Sequence, residues 1–96
     1  MSKILFLFTF TFFLTFNSLS QSVEPKYLAE LDSINNVLKY NPNDTNAYYF
    51  RAQLYDFNLL KPELALEDYN MVINLDPNDL DAYFYRGQVF FYDLNN

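Results

Sequence analysis

The sequence predicts an all-α protein, a solenoid of helix-turn-helix repeats with about two repeats in four helices. Sliding the chain against itself gives one productive offset, 35 residues. It lays Pro42-Asn43-Asp44 on Pro77-Asn78-Asp79, Ala47-Tyr48 on Ala82-Tyr83, Arg51 on Arg86 and Gln53 on Gln88. Within that period the apolar and aromatic residues recur at steps of three and four, the spacing of one helix face, and strand alternation is absent. Each Pro-Asn-Asp turn closes one periodic segment and opens the next. A period between about twenty and fifty residues means a stacked array whose single unit cannot bury its own apolar face.

The first twenty residues read as an address. They hold six of the eleven Phe and a single charged side chain, Lys3, followed by an uncharged run from Ile4 to Phe16. As a helix this run reaches only about 20 Å against a hydrocarbon core of about 30 Å, too short for an ordinary span. A basic start, an apolar stretch and small residues at Ser18 and Ser20 fit a signal peptide over residues 1–20, cleaved between Ser20 and Gln21. The alternative is an uncleaved N-terminal anchor. Residues 21–25 form a linker, and the expected location is exported, periplasmic or secreted, with membrane contact only through the signal peptide before cleavage.

Helices are expected at 26–40, 44–58, 62–75 and 79–93. In the first, Ile34, Val37 and Leu38 keep the spacing. From Asp44, suited to an N-cap, Ala47, Tyr48, Arg51, Ala52 and Tyr55 continue it, and from Pro62, suited to a first turn, Leu64, Ala65, Tyr69, Val72 and Ile73 do the same. Pro42 and Pro77 disfavour helical geometry in the residue before them, and Asp44 and Asp79 can accept from the exposed N–H groups of the next helix. Asn43-Asp44-Thr45 is also a glycosylation sequon, read here as turn and cap. Asp76-Pro77-Asn78-Asp79-Leu80-Asp81 resembles the start of a calcium loop, but its sixth position is Asp81 and its twelfth Gly87, where Gly and Glu belong.

Composition narrows the function. Over residues 21–96, Lys26, Lys39, Arg51, Lys61 and Arg86 stand against twelve carboxylates, a net charge of −7. Such a chain repels phosphate backbones and anionic membrane surfaces, so no nucleic-acid partner is expected. With no His and no Cys, the usual zinc and haem ligands, thiol nucleophiles and the commonest proton-transfer side chain are missing. No catalytic, metal or cofactor site is expected, and the chain is not read as an enzyme.

The repeat resembles the tetratricopeptide repeat family, whose signature is a large aromatic, a small residue four on, an aromatic three further, then Ala, an aromatic and a closing Pro. Tyr48, Ala52, Tyr55, Ala65, Tyr69 and Pro77 occupy those places, and Tyr83, Gly87 and Phe90 repeat the first part. The region is then a half repeat at 26–42, a full repeat at 43–77 and a truncated repeat at 78–96. Two departures stand out: 35 residues where 34 is usual, assigned to the inter-helix loop, and Lys61-Pro62 in a loop that often carries Gly. The resemblance implies that Ala52 and Ala65 let paired helices approach, and that Tyr48, Tyr55 and Tyr69 are core.

By the same resemblance the first helix of each pair lines a groove. Its lining here is Asn46, Tyr49, Gln53 and Asp56, then Asp81, Phe84, Gln88 and Phe91. Gln53 and Gln88 can donate to and accept from an extended backbone, while Tyr49 and Phe84 offer flat apolar anchors. Members that clamp a C-terminal carboxylate use Lys, Arg and Asn on this face, and Tyr49, Gln53, Asp56 and Phe84 argue against such a clamp. Arg51 and Arg86 lie off the groove, suited to neighbouring carboxylates such as Asp68 or Asp81. The function implied is a non-catalytic module binding a protein or peptide partner. One alternative is a self-assembling structural solenoid, a homo-oligomer through the C-terminal open end where Tyr83, Val89 and Phe90 lack a covering helix. The other is the N-terminal part of a larger exported protein.

Overall fold

The computed structural model describes residues 23–94. The expected signal peptide over 1–20 and its cleavage point lie outside the described residues, as do the start of the linker and the last two residues of the truncated repeat. The described residues are all-helical in architecture, with no strand among them.

The first helix, α1 (Pro25–Tyr40), starts on a proline whose missing N–H costs nothing in the first turn, and it ends where the Asn41 N–H returns to the Val37 carbonyl at 2.8 Å. Helix α2 (Thr45–Gln53) is capped by the Asp44 carboxylate, which accepts from the Ala47 N–H at 3.1 Å. It continues without a break as a π-helical turn, Leu54–Asn58. Helix α3 (Pro62–Leu75) again opens on proline. Helix α4 (Leu80–Gln88) is capped by Asp79 on the Ala82 N–H, also at 3.1 Å, and runs on as a second π-helical stretch, Val89–Leu94. All four helices lie within one residue of their expected bounds when the π turns are counted with α2 and α4.

The interior of two helices differs from expectation. At the end of α2 the Leu59 N–H donates to the Leu54 carbonyl at 3.0 Å, five residues back, and Lys61 N–H reaches Tyr55 O at 2.7 Å. A ring closed five residues back holds one residue more than an α turn. The end of α2 is thus wider than a regular α-helix, which leaves only residues 59–61 to connect it to α3. The short connection that follows turns at Leu60, whose φ of 53° is left-handed, a place where glycine is the ordinary choice.

Packing runs mainly between neighbours in the chain: α1 on α2, α2 on α3, α4 on α3. Ala52 and Ala65 are both wholly buried, which lets α2 and α3 approach closely, and Tyr69 fills the space beside them. Val89, expected at an uncovered end, instead belongs to this core with no exposed surface, because the widened end of α4 packs back on α3. Tyr83 and Phe90 remain 40% and 50% exposed, as expected. Around Gly87 a Cβ would meet nothing within 4 Å, so that face of α4 is open.

The 35-residue offset recurs in the polar contacts. Arg51 donates to Asn35 Oδ1 at 2.9 Å, and Arg86 donates to Asn70 Oδ1 at the same distance. Arg51 also grips Asp68 through two bonds of 2.8 Å each, its guanidinium near the rings of Tyr48 and Tyr55. Asp68 is buried while the Arg51 side chain is 22% exposed, so the pair is half-buried, and it is the pairing expected from the sequence.

Candidate functional site

The eight side chains expected along a groove divide into three sets. Phe84, Gln88 and Phe91 line one open cavity of about 460 Å³ with Tyr83, Gly87 and Tyr92. Asp56 and Gln88 line an adjoining cavity of about 300 Å³, whose other walls are Phe57, Leu60, Tyr92 and Asp93. Gln88 and Tyr92 are common to both, so the two cavities form one surface along α4 and the end of α2. Phe84 and Phe91 are 60% and 66% exposed, the condition a docking surface needs.

Tyr49 and Gln53 lie further in. The Gln53 amide donates to the Tyr49 hydroxyl at 3.3 Å, and the Tyr49 ring meets Tyr69 and Tyr85 edge-on at 6.1 Å each. Tyr49 is therefore part of an inner aromatic cluster joining α2, α3 and α4, with Tyr69 and Tyr85 stacked at 6.2 Å. Burial, then the neighbouring Tyr85, Asp81 and Asp79, holds its hydroxyl above the ordinary tyrosine range. Asn46 and Asp81 are exposed near the starts of their helices and line neither cavity.

Asp56 departs most from its expected place. The widened turn leaves it 9% exposed, and no cation pairs with it among the described residues. Asp93, on the widened end of α4, is hydrogen-bonded to it. Burial first, then this shared hydrogen bond and the like charge of Asp93, pushes the Asp56 carboxyl up to about 6. Behind it the Tyr69 hydroxyl is wholly buried and has no hydrogen-bond partner, and Asp56 is the foremost charge acting on it.

Sequence reasoning missed Phe57, Leu60, Tyr92 and Asp93. A signal existed for two of them, since Phe57 and Tyr92 are separated by the same 35 residues that pair Gln53 with Gln88. Each also follows its glutamine by four residues, Phe57 after Gln53 and Tyr92 after Gln88, which on a helix is the same face, so regular spacing points to both rings. The Phe57 ring is held edge-on to Tyr85 at 6.2 Å.

Among the described residues no group of three or more His, Cys, Asp or Glu is placed to hold a metal ion, and no helix is long and apolar enough to cross a membrane. No family model, no curated protein and no solved structure matches the chain.

Proposed function

We propose that the chain is a tetratricopeptide-like solenoid, exported by its N-terminal segment, that binds a protein or peptide partner and performs no chemistry of its own. The observation that carries this reading is the pair of adjoining cavities sharing Gln88 and Tyr92, with the exposed rings of Phe84 and Phe91 on one side. Aromatic anchors beside an amide suit an extended peptide, whose side chains enter the cavities while its backbone meets Gln88. The test is selection of binders from a random peptide library on the full chain. Phe84→Ala and Gln88→Ala are then expected to weaken the selected peptides tenfold or more with helicity unchanged. Binding that survives both substitutions would overturn the assignment of this surface.

A second reading is favoured by one observation, the open face around Gly87 with Tyr83 and Phe90 half-exposed beside it. The repeat-equivalent face of α2, at Ala52, is covered by α3. Self-assembly would cover the α4 face with a second copy, and a longer chain would cover it with its next helix. Sedimentation equilibrium separates these from a free binding module: a concentration-dependent oligomer abolished by Phe90→Asp supports self-assembly, and a monomer opposes it.

A further inference from the structure

We propose that the chain stacks head to tail on itself: the free face of α1 in one copy covers the open face of α4 in the next, completing between copies the helix pair that α2 and α3 form within one. This rests on the self-assembly reading above and names the surface that the second copy presents.

The joint already exists once inside the molecule. Arg51, Ala52 and Tyr55 of α2 meet Ala65, Asp68 and Tyr69 of α3, and Val72, one turn further along α3, is also wholly buried. Moved on by 35 residues, the α2 set becomes Arg86, Gly87 and Phe90 on α4; moved back by 35, the α3 set becomes Glu30, Ser33, Ile34 and Val37 on α1. Both of these sets lie largely uncovered. Gly87 and Phe90 are exposed where Ala52 is buried and Tyr55 half-buried, and Glu30 and Ser33 are exposed where Ala65 and Asp68 are buried. Val37 is 44% exposed where Val72 has no exposed surface. The remaining face of α1 is engaged: Asn35 accepts from Arg51 of α2 as Asn70 accepts from Arg86 of α4. The first and last of the described helices therefore carry opposite halves of one joint, and a second copy supplies the half that each lacks.

The exchanges between the sets compensate one another in size and charge. Gly87 stands for Ala52, and a Cβ there would meet nothing within 4 Å, so the space suits Glu30, a longer side chain than the Ala65 whose place it takes. Arg51 finds a carboxylate across its joint, whereas Arg86 has the Asn70 amide and the Tyr83 ring but no carboxylate among the described residues. Ser33 occupies the place of Asp68, and Glu30 lies on the same face one turn before it, paired with no cation among the described residues. Stacking thus brings Arg86 to Glu30 and lays the half-exposed Phe90 on Ile34 and Val37. Because the two surfaces differ, the contact is heterologous and repeats at each end, giving an open row of copies where a self-complementary patch would give a closed pair.

The experiment is sedimentation velocity over a wide concentration range on the full chain, expressed with its own N-terminal segment. The weight-average mass is expected to climb past that of a dimer without a plateau. Val37→Asp spoils the α1 face alone and Phe90→Asp the α4 face alone, so each variant should remain monomeric. An equal mixture of the two should form a one-to-one dimer and stop there, since each keeps one intact face. Arg86→Glu should weaken association roughly tenfold or more, and adding Glu30→Lys to the same chain should restore it, a rescue that a folding defect would not show. If Phe90→Asp disturbs the helical circular dichroism, Arg86→Glu and Glu30→Lys as separate chains serve in its place, each weakened alone and associating when mixed. A closed dimer that survives Val37→Asp would overturn the docking of α1 and leave self-assembly through α4 standing. A monomer at every concentration would overturn both. Association indifferent to Val37→Asp and Phe90→Asp alike, or a mixture of those variants that stays monomeric, would equally sink the proposal.

Discussion

Replacing Asp56 with Asn is expected to make the protein more stable at neutral pH, although it removes a charged residue from a folded interior. In the unfolded chain this carboxyl titrates near its ordinary 3.8, and in the fold it is pushed up to about 6 by burial and by Asp93. The folded state therefore holds that proton more tightly than the unfolded state. Its stability is fully present below about pH 4, falls as pH rises toward 6, and stays lower above it. At about 1.4 kcal/mol for each tenfold change, the difference is roughly 3 kcal/mol at most, and solvent reaching the open side of the cavity reduces it to about 1–2 kcal/mol. Asparagine carries no charge and can donate to Asp93, so it escapes this cost. For a domain of this size, 1–2 kcal/mol corresponds to roughly 5–15 °C in Tm. The assay is urea unfolding followed by circular dichroism at pH 4.5, 6 and 7.5, on wild type and Asp56→Asn. The wild-type midpoint should fall across the series and the variant's should fall less, so that the two separate most at pH 7.5. A wild-type midpoint that rises with pH, or a variant less stable than wild type at pH 7.5, would refute the reasoning.

Two further substitutions probe the frame around the site. Arg51→Met leaves the buried Asp68 carboxylate without its partner and is expected to cost about 3 kcal/mol in urea unfolding, whereas the repeat-equivalent Arg86→Met loses an exposed bond to Asn70 and a contact with the Tyr83 ring and should cost about 1 kcal/mol; equal effects would show that Asp68 is not buried in solution. Leu60→Gly relieves a left-handed leucine that is 77% exposed, so it should raise stability by up to about 1 kcal/mol after the added freedom of the unfolded chain is counted, and a loss in the thermal midpoint would mean the turn is formed otherwise.

The helices were legible in the sequence because their ends are written in local chemistry. Asp44 and Asp79 cap, Pro62 opens, and each of these acts within a few residues of itself. Ala52, Ala65 and Tyr69 were legible as core because small and large residues at helical spacing leave few other arrangements. The pairing of Arg51 with Asp68 was also within reach, as complementary charges on helices joined by a short turn. The π turns were not. Nothing in Leu54-Tyr55-Asp56-Phe57-Asn58 forbids a regular helix, and the widened stretch runs into a left-handed turn at Leu60. Asp56 lies in one widened stretch and is buried, and Val89 begins the other and is buried too. The eight expected lining residues were placed as though the helices were regular to their ends; Phe84, Gln88 and Phe91 face one cavity, whereas Asp56 is buried at the wall of the other.

The two π turns begin at Leu54 and Val89, which stand 35 residues apart. The same widening therefore sits at the same place in both halves of the repeat. The sequences around the two turns, Leu54-Tyr55-Asp56-Phe57 and Val89-Phe90-Phe91-Tyr92, share an aromatic side chain at the second and fourth places, while the third is a carboxylate in one and a phenyl ring in the other. The backbone of the cavity is thus common to the two units, and the charge at its centre is what only one of them carries at that place.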